Sequence, residues 1–311
     1  MKIFYKYRAV LLSAVFLSVC LWVCDFAGAA TRPLQVVASS TLFADLVKKI
    51  GGEHVTVKSI ASPKFNVHFY EPKPSDVQNV RRADVFVHWG LDVEAWCGPL
   101  LEAAAKPDLF FNGSHNIDLS RKIHLEHVPE KTPSRSEGDI HLHGNPHYPM
   151  NPENMRLMAE TLRDRLSEID SASAGDYEKN TAAFLNQLDQ KIAEWKGASA
   201  ACRGKEIISY HDDVLYLTDF LGVKSEEFLE PKPGIPPTPQ HIAFLEKYAK
   251  EKGIRVIAMP TYFSKSAAQV LAERIGAKVV TVCQNAGEVQ GTDDVFGFYD
   301  YNIKQLIEGL R

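Results

Sequence analysis

Four residues spread along the chain carry side chains that bind metal ions: His68, His147, His211 and Asp293. Each falls in a loop just beyond a run patterned as a strand or just before one patterned as a helix. His68 lies in Asn66-Val67-His68-Phe69-Tyr70-Glu71-Pro72, a loop stiffened by Pro63, Pro72 and Pro74, which would hold an imidazole in place before metal arrives. A lone loop histidine is more often a surface residue than a ligand. His147 lies in Gly144-Asn145-Pro146-His147-Tyr148-Pro149, after His141 and His143; such a tract hints at metal binding, and equally describes a solvated linker. Only one of these three histidines need be structural, and His147, flanked by prolines and nearest the next helix, is the choice. His211 ends the apolar run Ile207-Ile208-Ser209-Tyr210, at the strand's carboxyl end where a cleft is expected. Asp293, in Gly291-Thr292-Asp293-Asp294, precedes a helix, so one of the two acids can cap it while the other binds.

Three neutral imidazoles and one carboxylate form a four-coordinate set suited to zinc, with bonds of roughly 2.0–2.2 Å. No pair of ligating cysteines suggests a closed structural finger. The chain contains no H-E-x-x-H helix, no G-x-S-x-G elbow and no Walker phosphate loop, and nothing nominates a nucleophile beside a general base. The residues alone leave a metal-binding role open without fixing its kind, because the candidates are scattered over the whole chain. The rivals are a secreted zinc hydrolase, which needs an open coordination position, and an adhesin in which metal is structural.

The elements that must position these residues alternate between strand and helix. Strands are expected at Leu34–Ser39, Val55–Ile60, Asp84–His88 and Leu109–Phe111, with helices from Thr41 to Ile50, Asp76 to Arg82 and Val93 to Ala105. A polar, proline- and histidine-containing loop runs from His124 to Pro149, and two long helical patterns follow, Glu153–Ile169 and Tyr177–Trp195. The second places Tyr177, Thr181, Phe184, Leu188 and Ile192 on one stripe. Alternation then resumes with strands at Glu206–Ser209, Val256–Met259 and Val279–Cys283. Helices fall at Asp213–Phe220, His241–Lys252, Ala267–Ile275 and Phe296–Leu310. The expected class is α/β: two lobes, each a mostly parallel sheet flanked by helices, joined by one long rigid helix. The lobes divide as 31–173 and 199–311, with the connecting helix at 174–198.

Residues 1–30 are expected to be a signal peptide. Lys2, Lys6 and Arg8 precede an apolar run from Ala9 to Cys24, and small residues at Ala27-Gly28-Ala29-Ala30 suit a peptidase. Bulky Val19 and Val23 before Cys20 and Cys24 argue against lipid attachment, so a soluble exported product, periplasmic in location, is expected. Cleavage moves the formal charge from −4 to −6, since three basic residues and one acidic residue leave. That balance argues against nucleic-acid binding and against retention on anionic lipid. Cys97, Cys202 and Cys283 remain. Cys202 and Cys283, in the same lobe, are the expected pair if an extracytoplasmic disulfide forms; three buried thiols are the alternative.

Val67-His68-Phe69-Tyr70-Glu71-Pro72-Lys73-Pro74-Ser75-Asp76 resembles the H-x-Y-E-P-x-P-S-D signature of zinc/manganese solute-binding proteins of ABC importers, the ZnuA/TroA-like family. Asn145-Pro146-His147 with Asn151-Pro152-Glu153-Asn154 resembles its second signature, and Ser209-Tyr210-His211-Asp212 its third. Gly291-Thr292-Asp293 matches the acidic residue before the last helix, and the Glu230–Ile235 loop also fits. The similarity spans the mature chain. Val67, Tyr148-Pro149-Met150 and Val295 depart from the usual residues, and the histidine-rich loop of many zinc members is reduced to His124, His127, His141 and His143. The resemblance implies His68, His147, His211 and Asp293 as metal ligands; such a set leaves a bound zinc site at net charge +1, so acceptors are expected around it, with Asp212, Glu230 and Asp294 as the candidates. It implies capture of a metal ion outside the membrane by a monomer and delivery to a permease with a cytoplasmic ATPase. Nitrogen-rich ligation favours zinc (Zn2+) as cargo, with manganese (Mn2+) bound only where zinc is scarce.

Overall fold

In the computed structural model, residues 32–126, 128, 141, 143–232 and 234–311 are described. The expected leader, residues 1–30, and His127 lie outside them. Two four-stranded sheets organise the rest. The first has the order β2-β1-β3-β4, built from β1 (Leu34–Ala38), β2 (Val55–Ser59), β3 (Val85–His88) and β4 (Asn116–Asp118). The second repeats that order as β6-β5-β7-β8, from β5 (Glu206–Ser209), β6 (Lys224–Phe228), β7 (Val256–Pro260) and β8 (Lys278–Val282). All six pairings are parallel, with β1 flanked by β2 and β3, and β5 by β6 and β7, each the first strand of its sheet in the sequence. Parallel strands are buried on both faces, hence the apolar runs Leu34-Gln35-Val36-Val37-Ala38 and Val256-Ile257-Ala258-Met259. Each sheet changes direction of winding next to its central strand, and the crevice beyond the carboxyl ends at that point is where ligands bind in such sheets.

The covering helices in the first half are α1 (Thr41–Gly51), α2 (Pro74–Arg82), α3 (Cys97–Ala104) and α4 (Pro152–Ile169). Ser40 caps α1, and Asn151 caps α4 with Pro152 at its first position, where the missing N–H costs nothing. α5 (Ala174–Ser199) links the halves; its buried stripe is Tyr177, Thr181, Phe184, Leu188 and Trp195. Asn180 Nδ2 of α5 donates to the Ile50 carbonyl at 3.0 Å in the first half, and Trp195 Nε1 donates to Asp300 Oδ1 at 2.7 Å in the second. One continuous core includes Phe43 and Leu162 from the first half, Phe184 of α5, and Val282 and Phe298 from the second. The second half is completed by α6 (Leu215–Leu221), α7 (Pro239–Lys252), α8 (Ser266–Ile275) and α9 (Val295–Leu310). Among the described residues no helix is long and apolar enough to cross a membrane.

Three expectations are corrected. Leu109–Phe111 is not a strand: Pro107–Leu109 forms a 3-10 turn, Leu109 is buried and Phe111 half-exposed, and the fourth strand is the short edge β4. The helix expected from Val93 begins only at Cys97, because Gly90, Leu91 and Asp92 take positive φ of 79°, 57° and 60°. Cys202 and Cys283 are not paired; all three cysteines are buried free thiols. The edge strand β6, Lys-Ser-Glu-Glu-Phe, was not expected, since only one side pairs and charged residues line the other.

Candidate metal centre

His68 sits on a single 3-10 turn, Val67–Phe69, after β2. Asn66 Oδ1 accepts from the His68 N–H at 3.0 Å, and Trp96 Nε1 donates to the Val67 carbonyl at 2.7 Å, fixing the turn on both sides. The rest of the motif serves the loop: Asp76 Oδ2 accepts from the Tyr70 hydroxyl at 2.8 Å and from the Lys73 N–H at 2.7 Å. Burial and this bond push the Tyr70 phenol up to about 12.

His147 is held more firmly. Asn145 Oδ1 accepts from its N–H at 2.9 Å, while Asn145 Nδ2 donates to the Asp212 carbonyl at 2.8 Å, tying this loop to the one bearing His211. Trp89 Nε1 donates to the Pro146 carbonyl at 2.6 Å, and the Tyr299 hydroxyl donates to the Pro149 carbonyl at 2.6 Å. Gly144, with φ 113°, lets the chain enter: a Cβ there would stand 2.8 Å from the Glu126 carbonyl oxygen. His147 is 3% exposed, yet neither of its ring nitrogens has a hydrogen-bond partner. Native proteins rarely leave buried polar atoms unsatisfied, and such an atom calls for an explanation such as an ion.

His211 follows β5. Glu230 Oε2 stands 3.1 Å from its Nδ1 and Asp212 Oδ1 3.0 Å from its Nε2. Glu230 is itself set by the Gly234 N–H at 3.1 Å. Behind Asp212, Asp213 is fully buried and accepts from Gln284 Nε2 at 3.1 Å; burial pushes its carboxyl up to about 8.

The structure brings His68, His147 and His211 together: each offers a ring nitrogen, and the three lie within 4.8 Å of one another. It does not bring Asp293 into that group. Asp293 is exposed, its Oδ1 about 4.0 Å from where a Cβ on Gly287 would be and near Pro63. Its neighbour Asp294 is the helix cap, accepting from the Gly297 N–H at 2.8 Å and pairing with Lys49 at 3.2 Å. Of the loop histidines, His124 and His143 are exposed, and His143 lines a separate cavity of about 370 Å³ with His88, Asp118 and Arg121. His141, passed over in favour of His147, packs its ring 5.0 Å from that of His68. The H-x-H-x-x-x-H spacing from 141 to 147 was the signal for its proximity.

The three imidazoles differ electrically. Burial, reinforced by the neighbouring histidines, holds His68 well below its ordinary value, and burial pushes His147 down to about 3. Both are neutral at pH 7 with lone pairs ready. Burial also opposes charge on His211, but Asp212, Glu230 and Asp213 outweigh it and raise this imidazole well above its ordinary value. The arrangement therefore suits a cation: three convergent nitrogens and two flanking carboxylates, with a proton on His211 standing in for positive charge.

A model of the family described as zinc-uptake complex component A, periplasmic, matches residues 36–309. The metal ABC transporter substrate-binding lipoprotein ScbA of Streptococcus cristatus is 28% identical over 295 residues, 89% of each chain. The manganese ABC transporter substrate-binding lipoprotein PsaA of Streptococcus mitis is 27% identical over 315 residues, 96% of this chain and 97% of that one. A crystal structure of ZnuA shares the fold with a TM-score of 0.75, at 23% identity, over 90% of this chain and all of that one.

Proposed function

Since this chain belongs to the family of zinc-uptake complex component A, we propose that it binds a divalent metal ion, zinc by preference, and hands it to an ABC importer. The observation that carries this reading is the convergence of His68, His147 and His211, with two unsatisfied buried nitrogens on His147. The ligand order is one histidine beyond β2, one before α4 and one beyond β5, so the ion sits between the two sheets. Glu230 keeps its bond to His211 Nδ1, the usual way a carboxylate sets the tautomer and orientation of a metal-bound imidazole. Asp212 gives up His211 Nε2 to the ion. Asp293, exposed in the loop before α9, is the carboxylate that the family resemblance puts forward as a fourth ligand.

Zinc is the favoured cargo because all three converging donors are nitrogen, and manganese prefers oxygen. A hydrolase needs a base aimed at a metal-bound water, whereas the two nearest carboxylates here engage the His211 ring. The protein acts as a monomer outside the cytoplasm, exported by its leader, with a permease and its ATPase as partners.

The test is metal content by mass spectrometry after chelator stripping, exposure to equal zinc and manganese, and desalting. The expected result is about one zinc per chain and little manganese, with zinc lost in His211→Ala. Retained manganese would overturn the choice of cargo, and equal zinc in the variant would overturn the site.

A further inference from the structure

We infer that the first half of the chain carries a second binding site, for a free α-amino acid with a flat side chain, in the cavity beyond β3 and β4. This site is independent of the reading of the three histidines as a metal receptor.

The cavity, of about 370 Å³, lies at the carboxyl ends of two neighbouring parallel strands, where His88 and Asp118 are register partners. Sheets of this kind take ligands at that end, and the volume falls in the range of small-molecule sites. His88 forms the floor. Its Nδ1 accepts from the Gly90 N–H at 3.1 Å, so the ring proton sits on Nε2, which donates to Asn116 Oδ1 at 2.9 Å. Asn116 Nδ2 in turn donates to the Leu109 carbonyl at 3.0 Å. With both ring nitrogens engaged and burial holding the imidazole below its ordinary value, His88 is a neutral support.

The walls are apolar on one side and charged on the other. Phe111 is 50% exposed, lies against Gly98 of α3, and holds its ring 5.2 Å from that of His88. An open aromatic face of this kind is a surface on which a flat side chain stacks. Asp118 and Arg121 supply opposite charges, and both are close enough to act on the His88 ring, the first favouring its charge and the second opposing it. Asp118 Oδ1 accepts from the Ser120 N–H at 2.9 Å and from the Ser120 hydroxyl at 2.7 Å, which fixes the carboxylate. The other two carboxylates are engaged elsewhere: Glu94 Oε2 accepts from the Trp89 N–H at 2.9 Å, and Asp92 Oδ1 lies 3.0 Å from His141 Nδ1. One anion and one cation beside an aromatic face match the ammonium, carboxylate and side chain of an amino acid.

The backbone is bent to the shape of this cavity. Among the described residues four other than glycine have left-handed backbone, and three of them, Leu91, Asp92 and Asn112, line it. Such conformations are strained and gather where a protein clamps a ligand. Gly90, at φ 79°, passes so near the end of β4 that a Cβ there would collide with Asp118 Oδ1. The turn at 90–92 and the loop through Asn112 therefore form two sides of the cavity above the strand ends.

The probe is L-phenylalanine, titrated by calorimetry into the metal-free protein. A single site is expected, with a Kd of about 1 mM or tighter. 3-Phenylpropionate lacks the ammonium and phenethylamine the carboxylate, and each should bind about tenfold more weakly. Arg121→Gln and Asp118→Asn should weaken L-phenylalanine about tenfold, and Phe111→Ala about threefold. Unfolding midpoints without ligand check that each variant folds. His147→Ala should bind the amino acid as the parent does, which separates this site from the metal centre. No heat from L-phenylalanine at about 10 mM would overturn the proposal, as would parent-like affinity in both Arg121→Gln and Asp118→Asn. Phenethylamine bound as tightly as L-phenylalanine would overturn it too, and so would binding lost in His147→Ala, since the probe would then sit at the metal centre.

Discussion

His147→Ala should lose zinc on desalting while its fold becomes more stable. Metal affinity falls because one of three converging nitrogens is gone; altering a residue that merely orients a ligand costs 10–100-fold, so removing the ligand itself costs at least about 100-fold. The stability change has the opposite sign. In the apo protein the His147 ring is buried with both nitrogens unsatisfied, and each buried unsatisfied polar atom costs about 1–3 kcal/mol. Alanine removes that penalty and leaves a void lined partly by other polar side chains, so the net gain expected is about 1 kcal/mol. The backbone bonds that hold this loop come from Asn145, Trp89 and Tyr299 rather than from the ring, so they survive the substitution. Chemical denaturation of the apo proteins and competition titration of the loaded ones check both halves. A variant that is destabilised and still holds zinc would show that the ring is a packing residue.

The second large effect is on pH. Burial pushes His147 down to about 3, so it stays neutral between pH 8 and pH 5.5 (the range of the test), and burial holds His68 well below its ordinary value, so neither is the source of a proton at pH 7. His211 is raised, so it is protonated at neutral pH and must release its proton to the solvent when metal displaces it. Binding should therefore release about one proton per ion at pH 7, and affinity should fall about tenfold for each pH unit below the raised value. The sequence alone suggests a fall beginning near pH 6.5, the ordinary imidazole value; the carboxylates around His211 move its onset higher. Calorimetry in buffers of different ionisation enthalpy counts the proton. Glu230→Gln should reduce the release, because one of the carboxylates that hold the proton is gone. Release near zero, or of three protons, would contradict this division of labour among the histidines.

The legible parts of the fold were those with an internal period. The buried β1 run, the helix over Thr41–Ile50 and the stripe of α5 from Tyr177 to Leu188 are amphipathic or apolar patterns that no tertiary context overrides. Edge strands were illegible. β4 has three residues and β6 carries one lysine and two glutamates, so neither shows a strand pattern, and the apolar Leu109-Phe110-Phe111 drew the assignment away from β4. The late start of α3 was hidden because Leu91 and Asp92 adopt a backbone that residue type disfavours.

For the site, the three histidines that the fold brings together were legible from their loops, just beyond a strand or just before a helix, and from the family's motifs, whereas their spacing along the chain said little. Asp293 and Asp294 look alike in sequence. Folding separates a helix cap from an exposed carboxylate, and only coordinates reveal which is which. His141 was passed over for a different reason: its ring lies 5.0 Å from that of His68 and contacts Asp92, 49 positions earlier, neither of which the 141–147 spacing alone distinguishes from a solvated tract. Tyr70 and Asp76, conspicuous in the motif, support the loop rather than the ion.

Metal binding by the three histidines is tested most directly by an anomalous difference map at the zinc edge from crystals of the zinc-loaded protein. One strong peak is expected roughly 2.0–2.2 Å from ring nitrogens of His68, His147 and His211. A peak in the cavity lined by His88 and His143, or none near the three histidines, would contradict it.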